Sequence, residues 1–251
     1  MQGNERGKEV QGDTGNCRAI IVLGMHRSGT SCLTGSLQRR GLHLGEVQER
    51  NPHNPKGNRE SRRIMHLNDA VLSHSGGAWN RPPRAVSWSR EQAAERDEVI
   101  ASLQAGERPW GFKDPRTLLV LPFWLDAIPG ASFVGAYRDP VQVARSLYRR
   151  SGMAHGEAYA LWLEYNRRLL DLHRVRPFPL VSFDLDDASY AGEVDRAASQ
   201  LGLDRLCQPG GDFFEPDLRG SADHTEALPD PPAALVEVHA ALDARREGKH
   251  A

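Results

Sequence analysis

The chain has 251 residues, of which 26% are charged and 39% hydrophobic, and its formal net charge is -1 at pH 7. This balance excludes an overall electrostatic attraction to nucleic acid or anionic lipid, so any basic site must be local. The length allows one substantial hydrophobic core, and α/β folds of this size are often a single domain.

The N-terminal segment, residues 1–17, is polar and Gly-rich and contains no apolar stretch. This pattern predicts a disordered tail and not a signal peptide, and it leaves residues 18–251 as one domain. The longest apolar stretch begins at Leu118 and is too short to span a bilayer. We therefore expect no transmembrane segment.

Three cysteines are present, Cys17, Cys32 and Cys207. Their odd number and wide spacing argue against a disulfide framework and against a thiolate zinc site. We expect the protein to lie in a reducing cytoplasm.

The first predicted element is a short β-branched run, residues 18–24, which ends at a glycine and suits a buried parallel strand. A helix is predicted from about Ser31 to Arg40, where the next glycine closes it. Residues 42–55 are rich in turn residues, and Pro55 stops any helix before it. This segment is predicted to be a long, functional loop.

A second helix is predicted from residue 56 to about residue 74 because its apolar residues share one face. That face contains Ile64, Leu67, Val71 and Leu72. Residues 73–88 are predicted to form another loop. Ser89 followed by Gln92 resembles a capping box, which begins a polar helix that reaches about Gln104.

Strands and helices alternate through the rest of the chain. Strands are predicted in segments 110–115, 131–140 and 178–184, and helices in segments 118–128 (interrupted by a proline), 141–150, 156–175, 188–203 and 232–246. Asp139 and Pro140 are suited to cap and begin the helix that follows them. The alternation predicts an α/β fold with a central parallel sheet flanked by helices.

The loop that follows the first strand reads GMHRSGTS, residues 24–31. Backbone N–H groups between a strand and a helix N-terminus bind an anion, because unpaired donors and the helix dipole converge there. A nucleotide kinase also needs a lysine directly after the second glycine. Thr30 occupies that position here, and the loop instead has a basic side chain at Arg27, two residues before the second glycine.

A second motif, RDPVQVARS, covers residues 138–146 and again joins a strand to a helix. Together the two motifs resemble those of the sulfotransferase family that uses 3′-phosphoadenosine 5′-phosphosulfate, in particular bacterial members with an MHRSGTS loop. Asp139 and Gln142 depart from the family's second motif. The resemblance extends from about Ile20 to Asp184.

The resemblance implies a P-loop-type sulfotransferase architecture and a donor site without metal. The implied 5′-phosphosulfate ligands are His26, Arg27, Ser28, Gly29, Thr30 and Ser31, and the implied 3′-phosphate ligands are Arg138 and Ser146. The family's Gly-rich Arg-Lys-Gly segment over the donor has only a weak counterpart, in residues 218–224. The implied acceptor is a small molecule or a glycan and not nucleic acid, while the oligomeric state stays open.

Three residues are candidates for the chemistry. Arg27 suits the leaving-group cation, because its guanidinium donates in fork geometry. Glu60 falls on the apolar stripe of its predicted helix and should point inward, and family members that act on sugars place a glutamate base between the two loops. Some relatives use a Lys-x-Pro segment beside the sulfuryl group, which makes Lys113 a second cation.

Alternatives to these assignments stay open. Glu60 could instead pair with an arginine such as Arg63 or Arg116, and His53 and His66 are the other candidate bases. Trp79 and Trp88 would either line an acceptor site or anchor their loop. Two other classes also remain, an atypical P-loop kinase, with Asp184 as its metal-binding carboxylate, and a non-catalytic nucleotide-binding module.

Overall fold

The computed structural model describes residues 19–50, 56–106, 109–203, 213 and 229–248 of the chain. Its strands are β1 (Ala19–Leu23), β2 (Trp110–Lys113), β3 (Ser132–Tyr137) and β4 (Leu180–Ser182). Its helices are α1 (Thr30–Arg39), α2 (Arg62–His74), α3 (Arg90–Gln104), α4 (Leu121–Ala127), α5 (Pro140–Ser151), α6 (His155–Val175), α7 (Asp187–Gln200) and α8 (Ala233–Arg246), and a 3₁₀-helix covers Pro115–Leu118.

The four strands form one sheet in the order β2-β1-β3-β4, and each neighbouring pair is parallel. The carboxyl ends of all four strands therefore meet at one edge, where ligands of open α/β sheets bind. All five residues of β1 are buried, which is the pattern of a strand covered on both faces. The predicted α/β fold with a central parallel sheet flanked by helices is confirmed.

Alternate residues of the strands face two separate helical layers. Ile20 and Val22 pack in one hydrophobic cluster with residues of α1 and α7. Ile21 and Leu23 pack in a larger cluster with residues of α2, α3, α4, α5, α6 and α8. Burial on both faces fixes the register of β1, and thereby the position of the loop that follows it.

The predicted caps are confirmed. Ser89 Oγ accepts a hydrogen bond from the Gln92 N–H at 3.2 Å, and Gln92 Oε1 accepts one from the Ser89 N–H at 2.8 Å. Asp139 Oδ1 accepts one from the Gln142 N–H at 2.9 Å, which begins α5. Pro122 begins α4 in its first turn instead of interrupting a longer helix, because a proline there lacks only an N–H that the helix does not use.

The predicted start of the second helix at residue 56 is wrong, since α2 begins at Arg62. Gly57 and Arg59 have φ values of 76° and 55°, which are left-handed and cannot continue a helix. Their segment instead pairs with the preceding loop: the Arg59 N–H donates to the Gln48 carbonyl at 3.1 Å, and the Gln48 N–H donates to the Glu60 carbonyl at 3.0 Å. Glu60 therefore lies before the helix.

Candidate functional site

The loop between β1 and α1 needs both of its glycines. A Cβ on Gly24 would lie 2.3 Å from the Ala136 carbonyl oxygen, and one on Gly29 would lie 2.3 Å from the Phe183 ring. Gly29, with φ 80°, is also the N-cap of α1 and offers no side-chain acceptor there. The first N–H groups of α1 therefore point into the loop without a capping side chain, as in an anion-binding site.

Arg27 links the two sequence motifs. Its φ of 67° is left-handed, a conformation that costs a non-glycine residue free energy and that occurs mainly at functional sites. The Arg27 Nε donates a hydrogen bond to Ser146 Oγ at 2.7 Å, across 119 positions of sequence. The loop after β1 and the helix after β3 therefore meet at one point of the sheet edge.

Positive charge is concentrated around Arg27. The pKa of Arg27 is lowered by its burial and then by the neighbouring charges of Arg150, Arg138 and Arg149. The group stays protonated, because the ordinary arginine pKa is far above neutrality. Like charges held together repel each other, so an anion bound among them is stabilised.

Two buried polar atoms of the loop, Ser28 Oγ and His26 Nε2, lack a hydrogen-bond partner within the described residues. Ser28 is fully buried, and its Oγ makes no hydrogen bond within the described part of the chain. A buried hydroxyl without a partner carries a desolvation cost that a ligand oxygen would remove. Thr30, the residue in the kinase lysine's position, is buried as the first residue of α1.

The His26 ring packs against two aromatic side chains, which holds the loop after β1 in place. Its ring lies 4.8 Å from the ring of Trp79 and 6.1 Å from that of Tyr165. The Tyr165 hydroxyl donates to the Trp79 carbonyl at 3.0 Å, which holds the tryptophan in place. Burial, followed by the charges of Arg116 and Lys113, holds the pKa of His26 well below its usual value, so the imidazole is neutral.

Lys113, the last residue of β2, contacts both Glu60 and the loop after β1. The Lys113 Nζ lies 2.5 Å from Glu60 Oε1 and 3.2 Å from Ser31 Oγ. Lys113 is 1% exposed and Glu60 is 8% exposed. The inward direction predicted for Glu60 is confirmed, although the turn before α2 produces it and the helical stripe does not.

The expected arginine partners of Glu60 are engaged elsewhere. Arg63 forms ion pairs with Glu95 at 3.7 Å and Glu98 at 2.5 Å. Arg116 forms ion pairs with Asp69 at 2.6 Å and Asp114 at 3.0 Å. The interpretation of Glu60 as an arginine partner is therefore wrong, because a lysine from the next strand takes that place.

Asp114 directly follows β2 and holds Arg116 in place. It is fully buried, and its carboxylate accepts hydrogen bonds from the Arg116 N–H at 2.8 Å and from Arg116 Nη1 at 3.0 Å. Burial raises the pKa of Asp114 to about 6, with Arg116 opposing the shift and Glu60 adding to it. The residue orients Arg116, and it was not singled out from the sequence.

Arg138 directly follows the last residue of β3. Its Nε is 3.5 Å from Asp184 Oδ1, and its guanidinium lies 5.2 Å from the centre of the Phe183 ring. The indole N–H of Trp162 donates to the Arg138 carbonyl at 2.9 Å. The segment after β4 and helix α6 thus fix this arginine at the same edge as the loop of β1.

The remaining predicted residues lie away from this arrangement or outside the described ranges. His66 is an exposed residue of α2, and Trp88 packs against Phe123 at 5.5 Å as a loop anchor. His53 and segment 218–224 lie outside the described residues. Within the described ranges, no group of three or more His, Cys, Asp or Glu side chains is placed to hold a metal ion, and no helix is long and apolar enough to cross a bilayer.

Comparison with known proteins gives one family and a shared fold. A family model described as "Sulfotransferase family" matches residues 19–179, more than half of the chain. The sulfotransferase domain of the Synechococcus PCC 7002 olefin synthase is similar in structure, with a TM-score of 0.58 and 18% identity over 92% of this chain and 96% of that one. A sulfotransferase domain of the curacin biosynthetic pathway has a TM-score of 0.51 and 15% identity over 90% of this chain and 97% of that one. No curated protein sequence matches the chain.

Proposed function

The chain belongs to the sulfotransferase family, and from this premise we propose that it transfers a sulfuryl group from 3′-phosphoadenosine 5′-phosphosulfate to a hydroxyl or amine of a small-molecule, glycolipid or glycan acceptor. The observation that carries the proposal is the 2.7 Å hydrogen bond from Arg27 to Ser146. It joins the loop after β1 to α5, the helix of the second motif, so in the proposal a donor with phosphates at both ends has a group for each end.

The residues present fit such a donor. The buried Ser28 Oγ without a partner and the uncapped start of α1 suit the oxygens of a 5′-phosphosulfate. The concentration of arginines around Arg27 suits the large negative charge of the donor. In the proposal, Gly29, Thr30 and Ser31 supply the loop backbone and hydroxyls, while Arg138 and Ser146 hold the 3′-phosphate.

The chemistry needs a proton acceptor and cations near the leaving oxygen. The acceptor oxygen forms a bond to sulfur while the bond from sulfur to the bridging phosphate oxygen breaks. Glu60 Oε2 is proposed to take the acceptor proton, since Oε1 is engaged by Lys113. Arg27 and Lys113 are proposed to stabilise the charge on the departing phosphate oxygen.

The same geometry disfavours the kinase alternative. In a kinase loop the hydroxyl at the position of Ser31 binds Mg²⁺. Here the Lys113 ammonium lies 3.2 Å from that hydroxyl, and its charge would repel a divalent cation. Asp184, the carboxylate considered for a metal, lies 3.5 Å from Arg138 instead.

Adenosine 3′,5′-bisphosphate should bind far more tightly than ATP, and its binding should be independent of Mg²⁺. The reason is that, in the proposal, Arg27 and Arg138 provide cations for the phosphates at the two ends of the nucleoside. Titration calorimetry with each nucleotide, in EDTA and again in Mg²⁺, measures this. Equal affinities, or binding only with Mg²⁺, would return the site to the kinase interpretation.

Arg138→Ala should weaken adenosine 3′,5′-bisphosphate binding by about 1.5–3 kcal/mol, because it removes a charge-assisted hydrogen bond to the 3′-phosphate. Affinity for adenosine 5′-phosphate should change much less. Arg174→Ala is the matched control, since Arg174 is an exposed arginine of the last turn of α6 that pairs with Asp171. Unchanged affinity in Arg138→Ala would remove this residue from the donor site.

A further inference from the structure

Asp184 lies between the arginine of the second motif and a histidine of the C-terminal helix. Its Oδ1 is 3.5 Å from Arg138 Nε. Its Oδ2 accepts a hydrogen bond from the Asp139 N–H at 2.5 Å and is 3.9 Å from His239 Nε2. The separation of Asp184 and His239 is that of an ion pair, and the two side chains attract each other as charges only when the imidazole is protonated.

His239 is held on the face of α8 that covers the ends of β3 and β4. Its Nδ1 lies 3.5 Å from Asp243 Oδ2, one helical turn further along. Its ring is 5.7 Å from the ring of Tyr137 and 6.2 Å from that of Trp162. The Tyr137 hydroxyl donates to Asp243 Oδ1 at 2.6 Å, which fixes the carboxylate on the far side of the imidazole.

The charges around this pair come from three elements. Within the described ranges, the titratable and charged groups that face it are Tyr137, Arg138, Asp139, Asp243 and Arg246. Burial raises the pKa of Tyr137 above its usual value, so its hydroxyl stays neutral. With Asp184 itself counted, three carboxylates and two arginines lie around the imidazole when it is neutral.

A phosphate bound at Arg138 would add more negative charge beside Asp184. Burial already raises the pKa of Asp184, with the Asp139 N–H and Arg138 opposing that shift. A second anion near the same arginine raises the cost of an ionised Asp184 further. A proton on the imidazole or on the carboxylate removes this repulsion without displacing Arg138.

We infer that Asp184 and His239 form a positioning pair for Arg138, and that this pair takes up a proton from solvent when a nucleotide 3′-phosphate binds. The inference rests on the proposed function, because it takes Arg138 as the 3′-phosphate ligand. No bond of the nucleotide changes in this step. The proton belongs to the coupled pair and not to either residue alone.

The sign of the pH dependence follows from proton uptake. A binding step that takes up a proton weakens as the pH rises, and histidine is the side chain that changes charge in the neutral range. The 3′-phosphate has a second pKa of about 6, and the site favours its dianion. Near that pH, ionisation of the phosphate therefore makes binding stronger as the pH rises, which opposes the effect of the protein pair. Measurements above pH 7 therefore isolate the protein pair.

The experiment is titration calorimetry at about pH 7.5, in buffers that differ in ionisation enthalpy. Adenosine 3′,5′-bisphosphate should bind to the wild type with a net uptake of protons, seen as a dependence of the binding enthalpy on the ionisation enthalpy of the buffer. Adenosine 5′-phosphate, which lacks the 3′-phosphate, should bind with almost no proton uptake. His239→Gln should abolish the difference between the nucleotides, whereas His74→Gln, an exposed control at the end of α2, should keep it.

Each outcome decides a separate question. Equal proton uptake with both nucleotides in the wild type, or unchanged uptake in His239→Gln, overturns the inference while leaving the donor site in place. A wild type that does not bind adenosine 3′,5′-bisphosphate contradicts the proposed function instead. If His239→Gln does not fold, Asp184→Asn removes the other titrating group, and the wild-type comparison of the two nucleotides still stands by itself.

Discussion

Glu60→Gln is expected to lower turnover by about 10²–10⁴-fold while the affinity for adenosine 3′,5′-bisphosphate stays within a few-fold. Glutamine keeps the shape of the side chain and an oxygen for Lys113, which lies 2.5 Å away, but it cannot accept the acceptor's proton. The measurement is turnover with an acceptor found by screening extracts with labelled donor. Donor binding and melting temperature are measured on the same preparation.

The structure also defines a purely structural role for Glu60, as the counter-charge of a buried lysine. A loss of thermal stability is expected in either role, because the substitution leaves the buried Lys113 ammonium without its counter-charge. In the purely structural role the activity per folded molecule would largely survive. Glu98→Gln is the matched control, because it makes the same change in an exposed pair with Arg63. Near-normal turnover in folded Glu60→Gln would end the base assignment, and His53 and His66 would be replaced next.

Lys113→Met should lower the free energy of unfolding by about 3–5 kcal/mol. The substitution leaves the Glu60 carboxylate, only 8% exposed, without the ammonium that neutralises it. It also removes the donor of the hydrogen bond to Ser31, so turnover should fall as well. Urea unfolding followed by circular dichroism measures the stability change.

Two comparisons make this result specific to the buried pair. Arg63→Met breaks an exposed pair and should cost about 0–1 kcal/mol. The double variant Lys113→Met with Glu60→Gln should recover much of the lost stability, because no uncompensated charge is then buried. A loss in Lys113→Met no larger than that of Arg63→Met would show that this ion pair contributes little to folding.

Local chemistry determined much of the fold and the two motifs that are proposed to bind phosphate. The glycine loop after a β-branched run, the Ser89 capping box and the Asp139 cap depend on neighbouring residues, so a single sequence contains their signal. Alternating strands and helices predicted a parallel sheet, and parallel strands bring their carboxyl ends to one edge. The same rule accounts for the position of Arg27 and Arg138 at one edge, because each follows the carboxyl end of a strand.

The position of Glu60 shows where local reasoning failed. The helical spacing of its neighbours predicted the correct inward direction for the wrong reason, since Gly57 and Arg59 turn the chain before α2 begins. Arg59 adopts a left-handed conformation that is unfavourable for an isolated arginine. Backbone pairing with Gln48 stabilises it, and no pattern in the residues around Arg59 contains that contact.

The sequence by itself determined the strand, loop and helix that form each half of the proposed donor site, because caps, glycines and periodicity act over a few residues. Only the tertiary structure decided the partners: Lys113 for Glu60 across 53 positions, Ser146 for Arg27 across 119, and His239 beside Asp184. These contacts depend on which strands are neighbours in the sheet and on where α8 packs. Both are set by burial of the whole core, a free energy to which no short segment contributes alone.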